Sequence, residues 1–295
     1  MISFRRWPLT AGAAALAAVA VYLLAVWTAP GQELENAVLR GADESYNRSE
    51  ALTADDALAQ ITVYSLAAAC LLIAVVALVR RRLDLMIAAV GVIVGGQVVT
   101  QSLKRFILVR PDLVEVVGHY KGNSLPSGHT TIAMTVLFAA LIVVPYRWRG
   151  LTLFFVLPWA TGIGAYTMAA KWHRLSDTLA ADAIALALAC CASWWLARRG
   201  VVRERVGRRY VPRVIFVVLV CIGAAVSLAL GALLWIVPIA QEGLHTSTRD
   251  NTWTLYLGGT SLATAGSAIT ALIFWATWRR LEAEAPAEQQ AEVAA

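Results

Sequence analysis

Long runs of apolar residues, separated by short polar segments, dominate the chain. A helix needs about 20 apolar residues to cross the ~30 Å hydrocarbon layer of a membrane. Eight stretches approach this length, and we predict a spanning helix in each: roughly 9–29, 60–79, 85–103, 128–145, 151–171, 177–197, 213–238 and 255–278. The pattern therefore predicts an all-α fold, a polytopic membrane helix bundle.

The composition excludes a water-soluble globule. Of the 295 residues, 59% are hydrophobic and only 15% are charged, whereas charged residues make up about a quarter of a soluble domain. The segment between the first two spans is polar and acidic, and the end after Arg280 is rich in Ala, Glu and Gln. We therefore expect a six-helix core (1–200), a basic cytoplasmic linker with two further spans (201–280) and a flexible tail (281–295).

The basic residues predict an orientation, because cytoplasmic loops carry an excess of Lys and Arg. With both termini in the cytoplasm, 16 of the 25 Lys and Arg residues fall on the inner side. Six of the other nine lie in two short external segments, 104–121 and 171–174. The positive-inside rule does not explain basic residues clustered on the external side, so this clustering indicates an external anion site. The net charge of +6 mostly reflects topology and gives no reason to expect nucleic acid as a partner.

Polar residues inside the spans have a simpler interpretation. Gln97, Gln101 and Asp182 fall within predicted helices, where polar side chains usually face the bundle interior. We interpret all three as interhelical packing. The four cysteines lie in apolar runs without the spacing of metal ligands, so we expect neither disulfides nor a metal site.

Three polar clusters fall on the external side of this layout. They are Lys104-Arg-Phe-Ile-Leu-Val-Arg110-Pro111-Asp112, Asn123-Ser-Leu-Pro126-Ser127-Gly128-His129-Thr130-Thr131 and Lys171-Trp-His173-Arg174-Leu-Ser176-Asp177. Cations and the N–H groups of a helix start bind phosphate. Two histidines allow one to attack phosphorus and the other to protonate the leaving oxygen, while a carboxylate orients the attacking imidazole. The set suits phosphoryl transfer through a phosphohistidine.

The order Lys…Arg-Pro, Pro-Ser-Gly-His and His-x3-Asp resembles the three-part signature of the type 2 phosphatidic acid phosphatase superfamily, which includes the vanadium haloperoxidases. The resemblance covers residues 104–177. It implies His173 as nucleophile, Asp177 as its orienting partner, and His129 as general acid and then general base. The resemblance also implies that no metal or other cofactor is needed, and that phosphate is bound by Lys104, Arg110, Ser127 and the Gly128 amide.

Two positions depart from the signature. The first cluster has one residue fewer between its lysine and its arginine than the family pattern, a difference that a loop can absorb. The family also places Ser-Arg six to seven residues before the nucleophile, where this chain has Tyr166 and Thr167. Lys171 lies one helical turn after Thr167. We hypothesise that Lys171 supplies the missing charge, with Arg174 as the alternative.

A site at the external helix ends admits a lipid whose tails remain in the bilayer. We therefore expect a cell-membrane phosphatase that acts on a lipid phosphate or diphosphate of the outer leaflet, such as a polyprenyl diphosphate or a phosphatidate-type lipid. The alternatives are a phosphotransferase to a lipid or sugar acceptor and a non-catalytic lipid-binding or transport protein. The Ala- and Arg-rich composition is typical of a GC-rich bacterial source.

Overall fold

The computed structural model describes residues 5–44, 48–61, 63–115, 122–205 and 211–283. Within these ranges the chain forms eleven α-helices and two short strands. The helices are α1 (Arg6–Val26), α2 (Ala29–Glu44), α3 (Arg48–Ala59), α4 (Val63–Val79), α5 (Leu83–Ser102), α6 (Gly128–Val143), α7 (Arg149–Ala169), α8 (Leu175–Arg198), α9 (Val211–Glu242), α10 (Leu244–Asp250) and α11 (Thr252–Thr277). A π-helical turn, Leu103–Ile107, extends α5. The strands are β1 (Val202–Glu204) and β2 (Leu281–Ala283).

Each of the eight predicted spans coincides with a helix. In the described part of the chain, six helices are long and apolar enough to cross a membrane: α1, α5 with its π turn, α7, α8, α9 and α11. Helix α4 meets this criterion only together with α3, across a bend of 59°. Helix α6 has 16 residues and is shorter than a full span. The all-α, polytopic membrane bundle is confirmed.

Helix α8 lies at the centre of the bundle. In its most apolar stretch 61% of the residues are buried, against 17% for α1 and for α9. Its neighbours include α1, α5, α6 and α11. A residue at the start of α8 is therefore held from several sides at once.

One end of the bundle gathers arginines from the loops that we predicted to be cytoplasmic. Arg80 donates hydrogen bonds to the carbonyl oxygens of Val143 (2.6 Å) and Ala283 (3.1 Å). Arg149, 1% exposed, donates to the carbonyl oxygen of Leu281 at 2.7 Å. These bonds tie α4, α6, α7 and β2 together at the same end.

The first residues of the predicted tail are part of this assembly. Leu281–Ala283 form β2, which pairs antiparallel with β1. Glu282 accepts a hydrogen bond from Arg205 at 2.7 Å. Residues 284–295, the remainder of the predicted tail, lie outside the described residues.

The opposite end of the bundle carries the three polar clusters and is covered by α2. Helix α2 packs on α11 and α1, and Gly41 permits the close approach to α11, because a Cβ there would overlap the backbone of Thr252. Near its start, the side chain of Gln32 donates to the carbonyl oxygens of Val26 (2.7 Å) and Pro111 (2.6 Å). The polar, acidic segment between the first two predicted spans is therefore anchored to the first polar cluster.

Candidate active site

His173 and Asp177 are fixed by the connection from α7 to α8. The N–H groups of Trp172 and His173 both donate to the carbonyl oxygen of Thr167, at 2.9 and 3.0 Å. Asp177 then accepts from the Arg174 N–H at 2.9 Å and contacts Nδ1 of His173 at 3.0 Å. The carboxylate both caps α8 and orients the imidazole. Nε2 is the ring nitrogen that this contact leaves available for chemistry.

Ser127 sets the position of the α6 N-terminus. Its Oγ accepts from the N–H and the hydroxyl of Thr130, at 3.3 and 3.0 Å, as expected of a helix N-cap. Its own N–H donates to the carbonyl oxygen of Asp177 at 3.0 Å. The second and third polar clusters are thereby joined, and Gly128 is the first residue of the helix.

A cavity of about 520 Å³ lies where these elements meet. Lys104, His129 and His173 line it, one from each polar cluster, together with Gly128 at the start of α6. The His129 ring also packs against Trp172, with 5.3 Å between ring centroids. Both predicted histidines and one predicted phosphate-binding cation therefore share one space.

Two glutamines of α5 belong to the same cavity. Gln97 and Gln101 line it, and Gln97 donates to the carbonyl oxygen of Gly128 at 3.4 Å. We predicted them only as packing residues, and Gln97 does join α5 to α6. Hydropathy indicates that a polar residue faces the bundle interior. It does not distinguish a residue that packs between two helices from one that lines a cavity. Asp182, the third such residue, is buried and accepts from Ser267 at 2.8 Å.

The side chains of Arg110 and Arg174 are buried, and neither residue is among the described residues that line the cavity. Nη1 of Arg110 donates to Oε2 of Glu35 at 3.2 Å. Nη1 of Arg174 donates to the hydroxyl of Ser124 at 2.8 Å. Ser124 also forms a hydrogen bond with Asp177. Ser124 was not among the predicted site residues, because it lies upstream of the Pro-Ser-Gly-His motif.

Lys171, our first candidate for the missing charge, contacts helix α2. It adopts a left-handed backbone conformation (φ 60°), and its ammonium group forms an ion pair with Asp43 of α2. Thr167, at the position of the usual arginine, is fully buried and donates to the carbonyl oxygen of Gly164 at 2.7 Å. Of the two candidate replacements, Arg174 is the one whose guanidinium lies near the His–Asp pair, because it donates to Ser124, a hydrogen-bond partner of Asp177. Residue 121, a further cation of the external clusters, lies outside the described residues.

Glu35 of α2 is a site residue that the sequence patterns did not single out. Its side chain is 5% exposed, and Oε1 accepts from the Ser176 N–H at 3.1 Å. Burial and the nearby negative charge of Asp177 raise the pKa of the Glu35 carboxyl, although the Ser176 bond and the Arg110 charge oppose the shift. Glu35 is one of seven acidic residues between positions 31 and 59, so nothing local distinguishes it.

The described residues contain no group of three or more His, Cys, Asp or Glu side chains arranged to hold a metal ion. The residues around the cavity instead offer imidazoles, an ammonium group, amides and a helix N-terminus. These groups can bind an anion, attack it and transfer a proton.

Comparison with known proteins identifies the region that contains this site. Residues 84–201 match the model of the PAP2 superfamily. No curated protein and no solved structure matches the chain. The matched region runs from the start of α5 to just beyond α8, so it includes all three polar clusters but neither α2 nor α9 to α11. The region that carries the three clusters is therefore similar to the PAP2 superfamily.

Proposed function

We propose that the protein hydrolyses a lipid phosphate or diphosphate and that His173 carries the phosphoryl group between the two half-reactions. The observation that carries this proposal is the cavity shared by His173, His129 and Lys104 at the α6 N-terminus. Nucleophile, proton donor and anion-binding groups then surround one bound phosphate.

The first half-reaction forms a phosphohistidine. Nε2 of His173 attacks phosphorus while the bond to the lipid oxygen breaks, and protonated His129 gives its proton to that oxygen. Asp177 holds Nδ1–H of His173 and stabilises the positive charge that develops on the ring. Lys104 and the Gly128 amide bind the phosphoryl oxygens.

The second half-reaction releases phosphate. Neutral His129 takes a proton from water, and the oxygen of that water attacks phosphorus as the P–N bond breaks. His173 regains its lone pair, His129 is protonated again, and inorganic phosphate leaves. The two imidazoles are needed in opposite protonation states, so activity should depend on pH as a bell-shaped curve.

A groove next to the cavity supports a lipid as the substrate. The groove has a volume of about 500 Å³ and shares Ile61, Leu66 and Ile132 with the cavity lining. On α6, Ile132 and Val136 follow His129 at helical spacings of three and seven, so all three lie on one face. The groove therefore extends about 10 Å along α6 from the reacting histidine, at 1.5 Å per residue. A hydrocarbon tail can lie there while the phosphate occupies the cavity.

The placement of the site at the outer leaflet is part of the proposal. The cavity lies at the end of the bundle opposite to Arg80, Arg149 and the strand pair. Because arginine-rich loops remain in the cytoplasm, the end with the cavity is expected to face outward. The Lys and Arg distribution supports this orientation.

The first test is phosphate release by the purified protein in detergent, without any added acceptor. We expect the wild type to release inorganic phosphate from long-chain lipid phosphates, and His173→Ala to release none. No release by the wild type from any phosphate ester would refute hydrolysis. Release only after addition of an acceptor would identify a transferase instead.

A pair of glycine variants tests the lipid groove. Gly162 lines the groove, and a Cβ there would contact nothing within 4 Å, so Gly162→Leu fills the groove without a clash. Gly91 of α5 is equally open but exposed on another surface, so Gly91→Leu is the matched control. We expect Gly162→Leu to raise KM for a long-chain lipid phosphate about tenfold, the effect of roughly two lost methylene contacts. Hydrolysis of glycerol 3-phosphate should be unchanged, and an equal effect on both substrates would refute the groove.

A further inference from the structure

We infer that Glu35 is a positioning residue for Arg110, so that α2, which lies outside the matched PAP2 region, completes the phosphate site. This inference rests on the proposed function, together with the phosphate-binding role that the family resemblance implies for Arg110. It adds a role for a segment that the family signature does not contain.

The backbone on both sides of Arg110 is held by α1 and α2. The hydroxyl of Tyr22 donates to the carbonyl oxygen of Val109 at 2.7 Å and accepts from the Val109 N–H at 3.2 Å. Gln32, 1% exposed, donates to the carbonyl oxygen of Pro111 at 2.6 Å. These contacts fix the main chain at residues 109–111 and leave the direction of the long Arg110 side chain to be set separately.

Glu35 fixes that side chain and joins it to α8. One carboxylate oxygen accepts from Nη1 of Arg110 at 3.2 Å, and the other accepts from the Ser176 N–H at 3.1 Å. Ser176 directly precedes Asp177, the partner of His173. A single carboxylate therefore links the first polar cluster to the third. Both members of the Arg110–Glu35 pair are 5% exposed, so solvent and salt screen their attraction only weakly.

The contact leaves part of the guanidinium available. Nη2 of Arg110 is buried and has no hydrogen-bond partner among the described residues. A buried donor without a partner destabilises the folded state, and a phosphate oxygen can remove that cost by accepting from it. Glu35 thus holds Arg110 through one nitrogen while the other remains able to bind an anion.

The same contacts favour a positioning role for Glu35 over competition with phosphate for Arg110. A carboxylate that merely occupied the phosphate position would have to leave Arg110 when substrate binds. Glu35 is anchored by the Ser176 amide through its second oxygen and is buried within α2. It therefore stays in place, and we expect its removal to weaken phosphate binding rather than to strengthen it.

The test compares Glu35→Gln with Glu33→Gln in the full-length protein. Gln keeps the length of Glu35 and an acceptor for the Ser176 N–H, but it loses the charge that holds Arg110. Glu33 lies on the same helix and contacts Thr248 (2.6 Å) and His245 (2.8 Å) instead, so Glu33→Gln controls for α2 docking. The primary measurement is the Kd of inorganic phosphate for the purified protein, read by titration calorimetry. The secondary measurement is the split between KM and kcat.

We expect Glu35→Gln to weaken phosphate binding and raise KM by about tenfold, as outer-shell partners of bound ions commonly do. Its kcat should change less than its KM, and Glu33→Gln should stay within twofold of the wild type. In an Arg110→Gln background, Glu35→Gln should add less than a twofold effect, because its action passes through Arg110.

Four other outcomes overturn the inference, and a fifth refutes only the proposed function. Tighter phosphate binding by Glu35→Gln would make Glu35 a competitor for the site. Unchanged binding with a lowered Tm would make it purely structural, and an additive effect in the Arg110→Gln background would show that it acts elsewhere. A wild type that binds phosphate but hydrolyses no ester would refute the proposed function and leave the positioning role measurable by Kd. A wild type that binds no phosphate would refute the positioning role.

Discussion

Replacing Asp177 with Asn removes a charge from the site and keeps its shape. The bonds from His173 Nδ1 (3.0 Å) and the Arg174 N–H (2.9 Å) both reach Oδ2 of Asp177. The amide oxygen of Asn can accept both of them. The variant therefore tests whether the negative charge of Asp177 stabilises the positive charge that His173 acquires during attack on phosphorus.

The expected loss follows from Coulomb's law. Two unit charges about 4 Å apart interact by about 4 kcal/mol at the effective dielectric constant of about 20 that describes protein sites. Each 1.36 kcal/mol in the barrier changes the rate tenfold. We therefore expect Asp177→Asn to lower kcat about 10³-fold, with a much smaller change in KM.

The assay is the steady-state release of inorganic phosphate, combined with the rate of phosphoenzyme formation after rapid mixing and base quenching. Asp182→Asn is the matched control, because Asp182 is the other buried carboxylate of α8 and contacts Ser267 rather than His173. We expect the control to retain kcat within twofold. A loss below tenfold for Asp177→Asn in folded protein, or an equal loss in the control, would refute the role of the Asp177 charge.

Three further predictions concern other contacts. Arg174→Ala should lower kcat/KM about 10²-fold, the cost of about 3 kcal/mol for one charge-assisted hydrogen bond. Lys171→Ala should stay within threefold because its ammonium pairs with Asp43, and the reverse ranking would identify Lys171 as the cation that replaces the usual arginine. Arg149→Met should lower the free energy of unfolding by about 2–4 kcal/mol, because two buried carbonyl oxygens lose their donor, with kcat unchanged; an unaltered denaturation midpoint would contradict this. Because burial raises the pKa of Glu35, its ionisation opposes folding. The contribution of Glu35 to the free energy of unfolding should therefore be most favourable below the ordinary Glu pKa of about 4.3 and decline as pH rises through the raised pKa. A Glu35→Gln variant with the same pH dependence of Tm as the wild type would count against this.

Most of the helical architecture could be predicted from the sequence, because membrane crossing imposes a simple rule on it. Backbone groups in lipid must be satisfied within the segment, so each apolar run of sufficient length becomes a helix. The start of α6 was equally readable, since Ser127 is a good N-cap. The boundaries of α2 were not readable, because helices on the bundle surface depend on tertiary contacts such as the one at Gly41.

The candidate site, like the fold, could be predicted from the sequence only in part. The residue types and spacings within each polar cluster indicated His129, His173 and Asp177, because a local motif specifies chemistry. The assignment of cations could not be read from these motifs, since charges pair with whatever the fold brings near them. Lys171 pairs with Asp43, which lies 128 residues before it in the chain.

The sequence by itself determined where the apolar helices lie and which side chains we propose to react, because both are recorded in short stretches of chain. The tertiary structure alone decided that Gln97 and Gln101 face a cavity and that Glu35 joins Arg110 to α8. Such contacts depend on the relative positions of helices that are distant in sequence, and no local pattern of polar and apolar residues records those positions.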